Sequence, residues 1–203
     1  MKTILLLFLF VVSFAGTAQQ TAQSSLYFFN PLHFNPAYAG SRGSLNATLV
    51  HRAQWLGWDG APRSQFLSVH APVWRKNLGL GLTLNNDKIG SRSNLAAMFN
   101  AAYHLKFKQS SWRFSFGMSG GWMNNQADFS SLLATDLNDP NMMQGYSLSK
   151  PNLGAGIYAY HKKAYIGLSM PHLIERNLDT ISNSYLQRHT YLTAGMVIPY
   201  NSV

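Results

Sequence analysis

Between Trp112 and Trp122 the chain reads W-R-F-S-F-G-M-S-G-G-W, with its large apolar side chains recurring at alternate positions. A helix cannot gather residues at that period on one side, whereas a strand does so automatically. Trp112, Phe114, Phe116, Met118 and Trp122 share one face, opposite Arg113, Ser115, Gly117 and Ser119. At about 3.3 Å per residue, and with the tilt of strands in membrane barrels, the two indoles stand roughly 25 Å apart, the height of an outer-membrane apolar band between its aromatic girdles. The stretch predicts a strand that crosses a bilayer.

The start of the chain predicts the compartment such a strand needs. Lys2 gives a positive n-region, Ile4 to Phe14 an apolar h-region, and Gly16 and Ala18 the small residues before a cut at Gln19, so residues 1–18 read as an export signal. No later stretch approaches the roughly 20 consecutive apolar residues of a spanning helix. Only 11% of residues are charged, against about 25% in soluble domains. Yet 46% are hydrophobic and 13% aromatic, and the mean hydropathy is near neutral at -0.09. Apolar residues spread over alternate positions give that combination. Cysteine is absent, which removes disulfides and thiolate metal sites.

The expected fold class is all-β, an antiparallel up-and-down transmembrane β-barrel. Its candidate strands are Leu45–Arg52, Ser64–His70, Leu78–Asn85, Asn94–Lys106, Trp112–Trp122, Leu153–Tyr160, Ala164–Met170 and Tyr191–Ile198. No helix is expected beyond residues 1–18. Residues 19–43 form a lead-in whose prolines, in Asn30-Pro31 and Asn35-Pro36, disfavour ordinary helix and central strand and predict a turn-rich segment at the periplasmic rim. The barrel then occupies residues 44–203. It is expected to be incomplete and C-terminally truncated, because the chain stops just past the eighth candidate strand without a terminal aromatic; closure with eight strands is the alternative.

The connections alternate in length. Ala53–Arg63, Asn86–Ser93, Met123–Asn152 and Pro171–His189 are the long, outward loops, and Ala71–Asn77, Phe107–Ser111 and His161–Lys163 the short, periplasmic turns. All seven acidic residues fall in the long set: Asp59, Asp87, Asp128, Asp136, Asp139, Glu175 and Asp179. Arg75, Lys76, Lys106, Lys108, Arg113, Lys162 and Lys163 border the short set. A soluble β-sandwich has no reason to sort charge in this way.

Several blocks resemble, in order, the PorP/SprF family of type IX secretion outer-membrane proteins from Bacteroidetes. Asn35-Pro36-Ala37-Tyr38-Ala39-Gly40 is similar to its N-terminal signature. Arg52, Gln54, Trp55, Gly57, Gly60, Ala61 and Pro62 match the block that follows, and Gly79-Leu80-Gly81 with Asp87 and Gly90 the next hairpin. Gly154, Gly156, Gly167, Ser169 and Pro171 continue the match. The resemblance implies a non-enzymatic barrel that supports secretion or surface attachment of cargo such as large adhesins, with gliding motility among the roles of relatives. It also implies periplasmic secretion components as partners, for which Arg75, Lys76, Lys106, Lys108, Lys162 and Lys163 are the candidate docking residues. Outer-membrane lipids are the other expected contact.

On the residues alone, Trp55 and Trp58 read as interfacial, and Gly57 and Gly60 as a sharp reversal. Gly79, Gly81, Gly117, Gly154, Gly156 and Gly167 are expected either to relieve crowding where strands bend or to open space inside the barrel. No cofactor is expected. The seven histidines lack metal-ligand spacing, and Asp136 to Asn141 lacks the ligand run of a calcium loop. With acids confined to loops, a buried acid–base pair is hard to build. The net charge of +9 forms no aromatic-interleaved patch, so nucleic acid is not an expected partner. A diffusion channel or small-molecule transporter is the alternative function.

Overall fold

The structure is a computed structural model that describes residues 27–73, 77–129, 145–174, 176–177, 185–186 and 188–198. Residues 1–18, Arg75, Lys76, Asp136, Asp139, Glu175 and Asp179 lie outside the described residues, as do the expectations attached to them. Strands β1 (Asn46–Ala53), β2 (Arg63–Val73), β3 (Leu78–Ile89), β4 (Arg92–Lys106), β5 (Arg113–Ala127), β6 (Tyr146–Tyr160) and β7 (Ala164–Met170) pair with their sequence neighbours in antiparallel register. A two-residue ladder of β8 (Arg176–Asn177) and β9 (Tyr185–Leu186) interrupts the run, and β10 (Tyr191–Met196) then pairs with β7. The result is one eight-stranded sheet, curled into a half-barrel with β1 and β10 as its two edges. All eight expected strands are present, and the barrel is incomplete as expected.

Each strand faces the way its alternation predicts. On β5, Phe114, Phe116, Met118 and Trp122 are exposed on the convex side, while Ser115 and Ser119 are buried on the concave side. On β4, Leu95, Phe99 and Tyr103 point out, and Asn100, Ala102 and His104 point in. The convex face is thus continuous hydrocarbon whose side chains reach high exposure, 74% at Phe99 and 67% at Met118. Such a surface is unfavourable in water by about 25 cal/mol per Å² and is relieved by lipid. No helix among the described residues is long and apolar enough to cross a membrane.

Several boundaries shift by one to three residues from the sequence expectation, β2 among them, which runs on to Val73 into the connection read as Ala71–Asn77, and three shift by four or more. β3 runs on to Ile89, so the connection read as Asn86–Ser93 is a tight turn at Gly90-Ser91 and Asp87 stands in a strand. Similarly, β5 continues five residues past Trp122, and β6 begins at Tyr146 rather than Leu153. The added residues, such as Asn124, Asn125, Ser147 and Ser149, are polar on both faces. Period-two hydrophobicity cannot report strands once they leave the apolar band.

The lead-in is also different. Pro31 and Pro36 do not bar helical turns but begin them, at Pro31–Phe34 and Pro36–Tyr38. At the first helical position the missing N–H costs nothing and the fixed φ suits the turn.

Candidate functional site

The lead-in folds into the concave face of the half-barrel and fills the end where the β4–β5 and β6–β7 turns lie. Asn35 is its pivot. The side chain accepts a hydrogen bond from the Ala37 N–H at 2.9 Å, capping the Pro36–Tyr38 turn, and donates through Nδ2 to the Ile157 carbonyl of β6 at 3.0 Å. One amide therefore shapes the lead-in and fastens it to the wall.

Four further hydrogen bonds seat the backbone of the segment. Ser169 of β7 donates to the Phe34 carbonyl at 2.8 Å, and Ser115 of β5 to the Ala37 carbonyl at 2.6 Å. His104 of β4 donates from Nε2 to the Ala39 carbonyl at 2.8 Å, and His70 of β2 accepts the Gly40 N–H at Nδ1, 3.1 Å away. These roles fix the same tautomer, with the proton on Nε2, in both neutral histidines. Apolar packing completes the seat, with Leu32, Ala37, Tyr38 and Ala39 buried against Ala102 and Tyr158. The Tyr38 ring meets Tyr158 edge-on, centroids 5.4 Å apart.

Glycines on the wall make this approach possible. A Cβ on Gly117 would overlap the backbone of Ala37, one on Gly79 the carbonyl of Ala39, and one on Gly156 the amide of Asn35. Gly40 adopts φ +75°, and a Cβ there would lie 2.6 Å from Cα of Gly79. Of the two roles foreseen for the wall glycines, room inside the barrel is the one these three fill.

Beyond the lead-in the concave face encloses a cavity of about 400 Å³, floored by Leu32, His33, Phe34 and Pro36. His33 packs against the rings of Phe34 and Phe66, centroids 4.9 and 4.8 Å away. Burial there, with a smaller contribution from the nearby His172, lowers its pKa to about 4. The seated lead-in consequently binds fewer protons than a released one. His33 contributes its full stabilisation above the ordinary histidine value near pH 6.5 and loses it as pH falls from there toward 4. Because the ring is partly open to the cavity, we expect about 1–2 kcal/mol rather than the full linkage value. Hydrogen exchange of the lead-in amides, corrected for intrinsic rate, should show weaker protection near pH 5 than near pH 7. His33→Gln should reduce that difference, and protection independent of pH would contradict the assignment.

The remaining motif residues, apart from Gly154 and Pro171 at mid-height, gather at the opposite end of the sheet. Arg52, Ser64 and Asp87 occupy one level across β1, β2 and β3, and the Ser64 hydroxyl donates to the Asp87 carboxylate. The loop from Gln54 to Pro62 is closed by the Gln54 N–H on the Pro62 carbonyl at 3.0 Å, and the Gly90 N–H reaches the Gly60 carbonyl at 2.8 Å. Trp55 and Trp58 are exposed at its tip. Gly154 and Pro171 adjoin beside Asn152, whose Nδ2 donates to the Pro171 carbonyl at 2.9 Å.

Thus the signature residues are not scattered. Asn35, Pro36, Ala37, Tyr38 and Gly40 meet Gly156, Gly167 and Ser169 in the seat, while Arg52 to Pro62 meet Asp87 and Gly90 at the far rim. A family profile described as type IX secretion system membrane protein PorP/SprF matches residues 16–203. The chain belongs to the PorP/SprF family. No curated protein and no solved structure matches it.

For a PorP/SprF protein the charged rims are the next surface of interest. Lys106, Lys108, Lys162 and Lys163 are exposed at the end where the lead-in is seated, and Arg113, paired in register with Lys106, is half-buried beside them. The described acids Asp59, Asp87 and Asp128 all lie toward the other end. The rings of Trp112 and His161 meet at a tilt on the basic rim, centroids 5.7 Å apart. Sequence reasoning missed His70 and His104 as clamps of the lead-in, although both have inward parity on their strands. No group of three His, Asp or Glu side chains placed to hold a metal occurs among the described residues.

Proposed function

We propose that this type IX secretion membrane component resides in the outer membrane, reaches it through the export signal at residues 1–18, and acts without catalysis. It supports secretion or surface attachment of cargo such as large adhesins, with gliding motility as a downstream role in some relatives. Its basic rim faces the periplasm and docks acidic surfaces of secretion components, and its convex face contacts outer-membrane lipid. One observation carries this reading above the diffusion-channel alternative. The signature residues Asn35 to Gly40 are spent on filling the concave face, where a pore would need clear space.

The docking role is tested by reversing charge at Lys106, Lys108, Lys162 and Lys163 and capturing secretion components from envelope extracts. Capture should fall about tenfold or more if several rim contacts act together, since each exposed pair is worth only a few tenths of a kcal/mol. Undiminished capture by a well-inserted variant would sink the docking idea. Steady single-channel conductance from the wild-type protein would favour the channel instead.

A further inference from the structure

The cavity beyond the lead-in has its own chemistry, separate from the seat and from the basic rim. Its walls are rich in carboxamides, with Asn85, Asn94, Asn100, Asn125 and Asn152 all among the lining residues. Aromatic rings of Phe66, Tyr146 and Tyr191 stand among them. Full charge is confined, among the described lining residues, to one acid and one base, Asp87 and Arg92. Both sit toward the ends of their strands near the Gly90-Ser91 turn. An anionic ligand such as a phosphate or carboxylate would find no net positive field there.

Two of the amides are not satisfied by the protein. The side-chain carbonyl oxygens of Asn85 and Asn94 are buried and lack hydrogen-bond partners. Such oxygens are costly unless a donor is supplied. The six lining carboxamides, Gln126 among them, carry both acceptors and donors, of which the Nδ2 groups of Asn100 and Asn152 already donate to the Met98 and Pro171 carbonyls; that mixture is the pattern that hydroxyl groups complement. A peptide would be recognised differently, through an unpaired strand edge or a groove for a helix. Here β5 is paired on both sides along its whole length and β4 from Arg92 to Tyr103, so that part of the wall presents side chains and no free backbone ladder, while β6 is paired with β7 from Ala155 to Tyr160.

We propose that this cavity is a binding site for a neutral oligosaccharide, free or carried on a glycolipid. Amides grip the hydroxyls, and the aromatic rings pack against the apolar faces of the sugar. The volume, about 400 Å³, falls in the lower part of the range of small-ligand sites, which suits a short segment of glycan.

The test applies the folded full chain, fluorescently labelled, to an array of neutral and acidic glycans, followed by titration with the best binder in detergent. Binding confined to neutral glycans supports the site. Loss of about tenfold in affinity in Asn94→Leu and in Asn125→Leu, with Trp55→Ala unchanged, places the binding in the cavity, since one or two hydrogen bonds are worth that factor. Should either variant fail to fold, Phe66→Leu serves in its place and should also weaken binding. Competition by soluble glycan against lipopolysaccharide bearing or lacking its polysaccharide distinguishes the free source from the lipid-borne one. Absence of binding, preference for acidic glycans, or capture of short peptides in preference to sugars would each overturn the proposal.

Discussion

Gly117→Val should unseat the lead-in while leaving the strands intact. The added side chain would occupy the space of the Ala37 backbone, and neither partner can yield, because Gly117 is locked between β4 and β6 and Ala37 between the Asn35 side chain, itself bonded to β6, and Ser115 of the wall. Release exposes Leu32 and Tyr38 and forfeits the bonds to Ser115, Ser169, His70 and His104. Burial of two such side chains is worth about 4–5 kcal/mol before any strain is added. Chymotrypsin should then cut rapidly after Tyr38, a residue buried in the wild-type protein. Ala37→Gly should not rescue the variant, since the overlap is with backbone atoms. Gly120→Ala supplies the control on the same strand, because its Cβ meets nothing closer than Leu153 Cδ2 at 3.5 Å. A Gly117→Val protein whose Tyr38 stays protected would show that the lead-in does not depend on this seat.

The same residues show what could be read in advance. Strand positions and facing were legible because an exposed apolar face on one side and a buried, largely polar face on the other impose a strict period of two. Leu78 to Leu84 and Trp112 to Trp122 needed no tertiary information. The ends of β3, β5 and β6 were not legible, since polar residues on both faces carry no period. The seating of the lead-in was not legible for a different reason. Asn30-Pro31 and Asn35-Pro36 do mark turns, but whether a turn rests on a rim or enters a lumen depends on partners about 80 to over 100 residues away, such as Ser115 and Ile157. The inward glycines were the available signal. Gly79, Gly117 and Gly156 share inward parity on three strands, and a wall emptied of side chains on one level implies something that fills it. The family residues became a site only when the curled sheet brought them together.

Met118→Arg should lower the unfolding free energy of the barrel in lipid vesicles by about 2–4 kcal/mol, the cost of a cation near the bilayer midplane. Met118 lies between Trp112 and Trp122 on the convex face and is 67% exposed, so the substitution breaks no packing of consequence within the protein. Its penalty would come from the surroundings alone. Asn124→Arg, on the same face beyond Trp122, should cost only about 0–1 kcal/mol, because depth governs the effect near the interface. Urea titration in vesicles, followed by tryptophan emission, measures both. In a water-exposed sheet the order would reverse, since an arginine at a 67% exposed methionine would be harmless or would improve solubility. The difference between the two positions therefore measures whether the tryptophans mark the edges of a membrane, and a penalty equal at both, or absent at Met118, would remove the bilayer from the account of this strand.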